Sequence, residues 1–281
     1  ITAFIIPPNR EKSKALCAFA DLVKQLTFRQ HESGEVEKMA GYIKATYRAG
    51  PVTVVERYYS PRYGVRAGRG QREKPTPERV AEVNERRSEF KLWLTLLENF
   101  QPGDLHLVLT YRKENRPADK SLLKKDMQAF LRKCRAVYKK QGRELRYIWV
   151  CEYESTAPHF HIILPRIDPG LLQDIWPHGN IRPGYLYAEG NFKPLAAYLI
   201  KETRRTFRQK LVSGRRWNPS KNLRKPRITI EETGRSRWRK DPKVPKGYMM
   251  LGEVQNGVHE LFGTPYQYYE LLQIVTERRK E

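Results

Sequence analysis

The sequence predicts an α+β fold: a central antiparallel β-sheet flanked by helices, with an extension at each end. Three observations carry that prediction. Residues 145–153 and 159–164 are runs rich in β-branched and aromatic residues, joined by a short turn ending in Pro158, and they read as an antiparallel hairpin. Residues 105–111 (Leu105-His106-Leu107-Val108-Leu109-Thr110-Tyr111) read as a further, buried strand. Between them, residues 119–141 set Leu123, Met127, Phe130, Leu131, Cys134 and Val137 at helical spacing with lysines on the opposite face, and Gly142 ends the helix.

The remaining elements follow in chain order. Residues 11–31 carry Leu16, Phe19, Ala20, Val23 and Leu26 at roughly helical spacing, and residues 51–59 read as a strand. A basic arm punctuated by Gly and Pro comes next, with Arg66 and Arg69 among its cations. A helix then starts at Thr76-Pro77-Glu78, where Thr76 can cap and Pro77 suits the first turn. Residues 169–176 suggest a short helix, 183–188 a short strand and 193–210 a basic helix, followed by an Arg/Lys-rich loop over 211–227. Strands are expected near 228–231 and 248–254, and a Tyr-rich helix near 265–279. The pattern divides the chain into an extension with a basic arm (1–75), a central domain (76–227) and a C-terminal α/β extension (228–281).

Charge narrows the partner. Lys and Arg number 54 against 31 Asp and Glu, a net charge of +23 in 281 residues. A field of that sign attracts polyanions, nucleic acid first and an anionic membrane surface second. No apolar run approaches the ~20 residues of a membrane span, and the opening residues lack the charged start of a secretory signal. Cys17, Cys134 and Cys151 are too scattered for a zinc ribbon or disulfide framework, so reduced thiols and a cytoplasmic setting are expected.

The densest chemistry lies in Pro158-His159-Phe160-His161-Ile162-Ile163-Leu164. In an extended strand, residues i and i+2 share a face. His159 and His161 therefore project together, while Phe160, Ile162 and Leu164 face a core. Two imidazoles on one face make half of a divalent-metal site. In the preceding strand Ile148, Val150, Glu152 and Glu154 share a face, so the hairpin can bring one of the glutamates beside the histidines. Glu152 is favoured over Glu154, which lies close to the turn. On the basic helix, Tyr198 and Lys201 are spaced i, i+3 and share a face. A phenol is a poor nucleophile at neutral pH, its reference pKa being about 10, and a neighbouring cation favours the phenolate.

Taken in order, the strand ending Leu109-Thr110-Tyr111, the strand-borne His159-Phe160-His161 and the helical Tyr198-Leu199-Ile200-Lys201 resemble the HUH endonucleases. Within these, the resemblance is greatest to rolling-circle replication initiators of bacterial plasmids and phages, the filamentous-phage gene II type included. It covers about residues 75–227. It implies an RRM-like antiparallel palm with the histidine pair on a central strand. It further implies cleavage of one DNA strand with Mg²⁺ or Mn²⁺, a 5′-phosphotyrosine on the enzyme, and a free 3′-OH that primes synthesis. By that likeness His159, His161 and Glu152 would hold the metal, Tyr198 would be the nucleophile and Lys201 its helper. The expected partners are single-stranded or hairpin origin DNA and a host helicase, because no Walker-type phosphate loop is present. The same chemistry is used by single-tyrosine transposases and by relaxases, though the three-histidine cluster of relaxases is not evident. A noncatalytic nucleic-acid-binding module is the reading from another class.

The DNA-binding residues are expected on the arm and after the basic helix: Arg66, Arg69, Arg204, Arg205, Arg208, Arg215, Arg216, Trp217, Lys221, Arg224 and Lys225. Trp217 and Trp238 sit among arginines, a mixture suited to stacking bases while cations hold the backbone.

Overall fold

The computed structural model describes residues 41–59, 77–153, 157–187, 189–204, 215–258 and 264–274. The expected helix over 11–31 and the arm with Arg66 and Arg69 lie outside them, as do Glu154, Arg205 and Arg208. Among the described residues, ten strands form two five-stranded antiparallel sheets, an α+β architecture. The chain divides into two compact units, residues 88–226 and residues 1–87 with 227–281.

The first unit holds the histidine sheet, in the order β6-β3-β5-β4-β7. Its strands are β3 (Leu105–Thr110), β4 (Ile148–Glu152), β5 (His159–Leu164), β6 (Ile181–Tyr185) and the two-residue β7 (Asn218–Pro219). β5 is central because every other residue, Phe160, Ile162 and Leu164, is apolar and fully buried. These join Leu107 and Leu109 of β3 and Trp149 and Cys151 of β4 in one core. Helix α2 (Ser121–Lys140) closes that core with Leu123, Met127, Phe130, Leu131, Cys134 and Tyr138, an i, i+4, i+7, i+8 stripe on an otherwise lysine-rich helix. Gly142, at φ +65°, terminates it in the left-handed conformation, with Arg143 N–H donating to the Tyr138 carbonyl at 2.9 Å.

The end of β3 is clamped by the following loop. Trp176 Nε1 donates to the Thr110 carbonyl at 2.9 Å, and Arg112 N–H donates to the His178 carbonyl at 2.9 Å. Gly179 passes so close that a Cβ there would lie 2.0 Å from the Thr110 carbonyl oxygen, so only glycine fits. Helix α1 (Pro77–Asn99) and helix α4 (Lys193–Glu202) bury Leu92, Trp93 and Leu96, and Leu195, Ala196, Leu199 and Ile200, respectively. Lys193 lies 4.9 Å from the Trp93 ring centre, a cation–π contact. Between α2 and α4 comes the four-residue α3 (Gly170–Gln173).

The second unit is built from both ends of the chain. Its sheet runs β8-β1-β2-β10-β9, with β1 (Tyr42–Ala49), β2 (Val52–Tyr58), β8 (Arg227–Thr233), β9 (Tyr248–Val258) and β10 (Pro265–Gln273). Strands from the two segments that the sequence sets apart as separate extensions therefore pair directly. β1 is not marked in the sequence reading. It is secured by the two-residue turn Gly50-Pro51, in which Gly50 takes φ +53°.

The Tyr-rich helix expected near 265–279 is instead strand β10 over Pro265–Gln273, held between β2 and β9. Tyr268, Leu271 and Leu272 fit helical spacing, but Tyr266, Tyr268 and Tyr269 favour a pleated surface. For so short a run the two neighbouring strands decide. No described helix is long and apolar enough to cross a membrane.

Candidate active site

The register of the histidine sheet sets the geometry of the site. β5 pairs with β3 so that His161 faces Val108 and His159 faces Thr110, and with β4 so that His161 faces Val150 and His159 faces Glu152. With Phe160 and Ile162 committed to the core, His159 and His161 occupy the other face. His161 has diagonal neighbours on both sides, within reach of long side chains. His106 Nε2 lies 3.2 Å from His161 Nδ1, the rings 5.4 Å apart, and Glu152 Oε2 lies 3.1 Å from His161 Nε2.

His106 is the residue that the sequence reading passes over. The alternation Leu105-His106-Leu107-Val108-Leu109 puts it on the face opposite the buried leucines, and that is the available signal. What sequence does not supply is the β3–β5 register that sets it beside His161. The site thus contains three imidazoles, where the sequence reading expects only the pair.

Helix α4 brings the phenol. The Tyr198 ring lies edge-on to His161, centres 5.6 Å apart at 82°. Tyr198 is half-buried and Lys201, one turn on, is exposed.

Charge in the site follows from these contacts. The hydrogen bond from His161 holds the Glu152 carboxyl below the usual carboxylate range; the charges of His161 and His159 act in the same direction, and burial opposes them. An ionised carboxylate only accepts, so His161 Nε2 donates to Glu152, and in the neutral ring Nδ1 accepts from His106 Nε2. Burial, and then His161, push His106 down to about 3, so it stays neutral. Burial lowers His159, with Glu152 opposing. Burial and then Glu152 raise Tyr198 above the ordinary phenol value. As it stands the site keeps its phenol protonated, and added positive charge is what would release it.

Among the described residues, no group of three or more His, Cys, Asp and Glu side chains is arranged to hold a metal ion. Two of the three expected donors instead satisfy each other, His161 Nε2 with Glu152 Oε2. The donor set itself, two imidazoles and a carboxylate from adjacent strands, has the chemistry of a divalent-cation site.

The expected DNA-binding residues divide by exposure. Arg204, Arg215, Lys221 and Lys225 are exposed, whereas Arg216 is only 8% exposed. Arg224 is exposed yet engaged: its guanidinium donates to the Glu98 carbonyl at 2.9 Å and its N–H to Asn99 Oδ1 at 2.7 Å. Trp217 is half-buried and donates through Nε1 to Ser88 Oγ at 3.2 Å. Trp238, read as a base-stacking residue, is half-buried and packs against Tyr42 and Tyr59, with both ring-centre separations 5.0 Å.

A sheet bearing paired histidines and a carboxylate, with a helix-borne tyrosine against them, gathers titratable side chains in one place. The model of the family of replication-associated proteins of the ORF2/gene II protein type matches residues 104–206, a stretch that contains His106, Glu152, His159, His161, Tyr198 and Lys201. The match supports a replication-associated protein of the rolling-circle initiator type. No curated protein and no solved structure matches the chain significantly.

Proposed function

We propose that this protein initiates rolling-circle replication by nicking one DNA strand and later rejoining it, with Tyr198 as the nucleophile. One observation carries the reading: the Tyr198 ring packs against His161, whose far nitrogen meets Glu152. In the proposed step the Tyr198 oxygen attacks the phosphorus of a phosphodiester. The P–O3′ bond breaks, and the phenol proton leaves to solvent or a nearby base. The 3′-oxygen departs with the bond electrons and is protonated, giving a 5′-phosphotyrosine and a free 3′-OH. Rejoining is the reverse transfer.

His159, His161 and Glu152 would hold Mg²⁺ or Mn²⁺, which would polarise the phosphate and offset the Glu152 charge that raises Tyr198. For His161 to present Nε2 as a ligand, its proton must sit on Nδ1, and neutral His106 can accept it there. Lys201 is suited to a phosphate contact. Single-stranded or hairpin origin DNA is the proposed substrate, and a host helicase would open the duplex.

The test is incubation with a single-stranded origin oligonucleotide and Mn²⁺, then mass spectrometry of any DNA-linked peptide. The adduct is expected on Tyr198. Tyr198→Phe is expected to lose adduct and nicking by roughly 10³-fold or more while binding DNA within about twofold, because the hydroxyl is needed only for chemistry. Nicking retained in that variant sinks the reading.

His106 gives a relaxase-like reading one observation in its favour, a third imidazole in contact with the pair. Calorimetric Mn²⁺ titration separates the roles. An orienting His106 makes His106→Ala weaken binding by about 10–100-fold. A direct ligand makes it weaken binding as much as His161→Ala does.

A further inference from the structure

We propose that the loop between β8 and β9 is a second nucleic-acid contact, a preformed cationic strap that grips the phosphate backbone of duplex DNA. Residues 234–247 carry Arg235, Arg237, Arg239, Lys240, Lys243 and Lys246, all exposed, against one acid, Asp241. The family match ends well before them, at residue 206. So basic a stretch, bounded by Gly234 and Gly247 and broken by two prolines, is expected from composition to be a mobile linker.

The sheet holds it as a fixed structure instead. Gln267, 1% exposed near the start of β10, donates through Nε2 to the carbonyls of Arg239 (2.9 Å) and Lys240 (2.8 Å), and Arg57 donates to its Oε1 at 2.7 Å. Asn256 on β9 donates to the same Lys240 carbonyl at 3.0 Å. Tyr59 donates its hydroxyl to the Ser236 carbonyl, Trp238 packs between Tyr42 and Tyr59, and Val244 packs on Val55, Tyr269 and Leu271. A buried amide and three aromatic rings are thus spent on fixing the backbone of a surface loop whose charged side chains remain in water. Backbone already ordered loses little entropy on binding, which favours a tight electrostatic contact.

The same packing chooses duplex over single strand. Single-strand tracks combine cations with open aromatic faces on which bases stack. Here Tyr42 and Tyr59 are buried and Trp238 is half-buried against both of them, so the six exposed cations far outweigh the aromatic surface beside them. Cations with so little stacking surface read phosphates, whose fixed spacing a duplex supplies. DNA rather than RNA rests on the proposed initiator role.

The test uses the full chain without divalent metal and measures binding of a short duplex of arbitrary sequence by fluorescence anisotropy from 50 to 200 mM salt. It is therefore blind to nicking, and loss of the Tyr198 chemistry would leave its outcome unchanged. The variant replaces Arg235, Arg237, Arg239 and Lys240 with Gln. A control makes the same change of charge on the exposed face of α2, at Lys124, Lys125, Arg132 and Lys133. Circular dichroism verifies that both fold. The loop variant is expected to lose duplex affinity by about 100-fold or more and to flatten the salt slope by about 3–4, roughly 0.9 per phosphate contact. The control is expected to stay within about threefold. An equal loss in the control, an equal loss by the loop variant on a single strand of the same length, or tighter binding of duplex RNA than of duplex DNA each overturns the proposal.

Discussion

Two antiparallel sheets of five strands each place polar side chains inside their packing, and they use them differently. In the histidine sheet the buried polar groups meet one another: His106 to His161 to Glu152, a row of titratable side chains with a phenol beside it. In the sheet built from the chain ends, Gln267 is turned on backbone carbonyls of the strap loop, and Arg57 supports it. Buried polar groups are retained mostly when satisfied, and the imidazoles, carboxylate and amide of the two clusters are, Arg57 Nε alone among their atoms being buried without a partner. An amide satisfied by main-chain carbonyls gives rigid shape. Imidazole and carboxylate satisfied by each other are the pair that the proposed cation would re-partner. On that proposal the difference lies between scaffold and site, within one kind of fold.

The largest test of that difference is His161→Ala. It should reduce strand cleavage by roughly 10³-fold or more while leaving duplex affinity within about threefold, because the re-partnering group is gone and the strap is intact. A parallel loss of duplex binding on anisotropy would erase the distinction. Next in size is Phe160→Ala, on the core side of the same strand. Phe160 is fully buried against Tyr111, Trp149 and Trp176, so truncation should cost about 3–5 kcal/mol in denaturant unfolding. Gly179→Ala follows. Its Cβ would meet backbone rather than a flexible side chain, and roughly 3 kcal/mol of destabilisation is expected in the same measurement.

Phe160 and Gly179 also mark what the chain reveals before its structure is known. The strand around Phe160 is legible because alternation is local: His159 and His161 on one face, Phe160 and Ile162 on the other. Helix α2 is legible for the same reason, from the spacing of Leu123, Met127, Phe130 and Leu131. The close passage of Gly179 over Thr110 is not, since it depends on a loop folding back across a strand end nearly seventy residues earlier in the chain. His106 shows the same limit, its partnership being fixed by register. β10 is hidden because a Tyr/Leu run fits two periods, and one of its two neighbours, β2, lies some two hundred residues earlier in the chain. The packing of Trp238 is equally hidden, because composition does not reveal that its ring meets Tyr42 and Tyr59.

The smallest effect compares one carboxylate in each sheet. Glu152 is 20% exposed and bonded to His161, whereas Glu231 is 50% exposed and paired with Lys44 at 3.1 Å. The Glu152 carboxyl is held below its usual range, so its ionised form is favoured in the fold. Its stabilising share is therefore present above the unfolded carboxylate value, about 4.3, and is lost as pH falls through the folded value. Gln at that position does not titrate. Wild type should therefore melt above Glu152→Gln at pH 7 by a margin on the order of 1 kcal/mol, a few degrees for a chain of this size. That margin should shrink as pH drops below about 4. Glu231→Gln should change stability by less than about 0.5 kcal/mol at neutral pH, as exposed pairs do. A Glu152 margin that stays flat from pH 7 to 3 would mean that the carboxylate is not committed to His161 in the folded chain, and the histidine sheet would then be as much a scaffold as its counterpart.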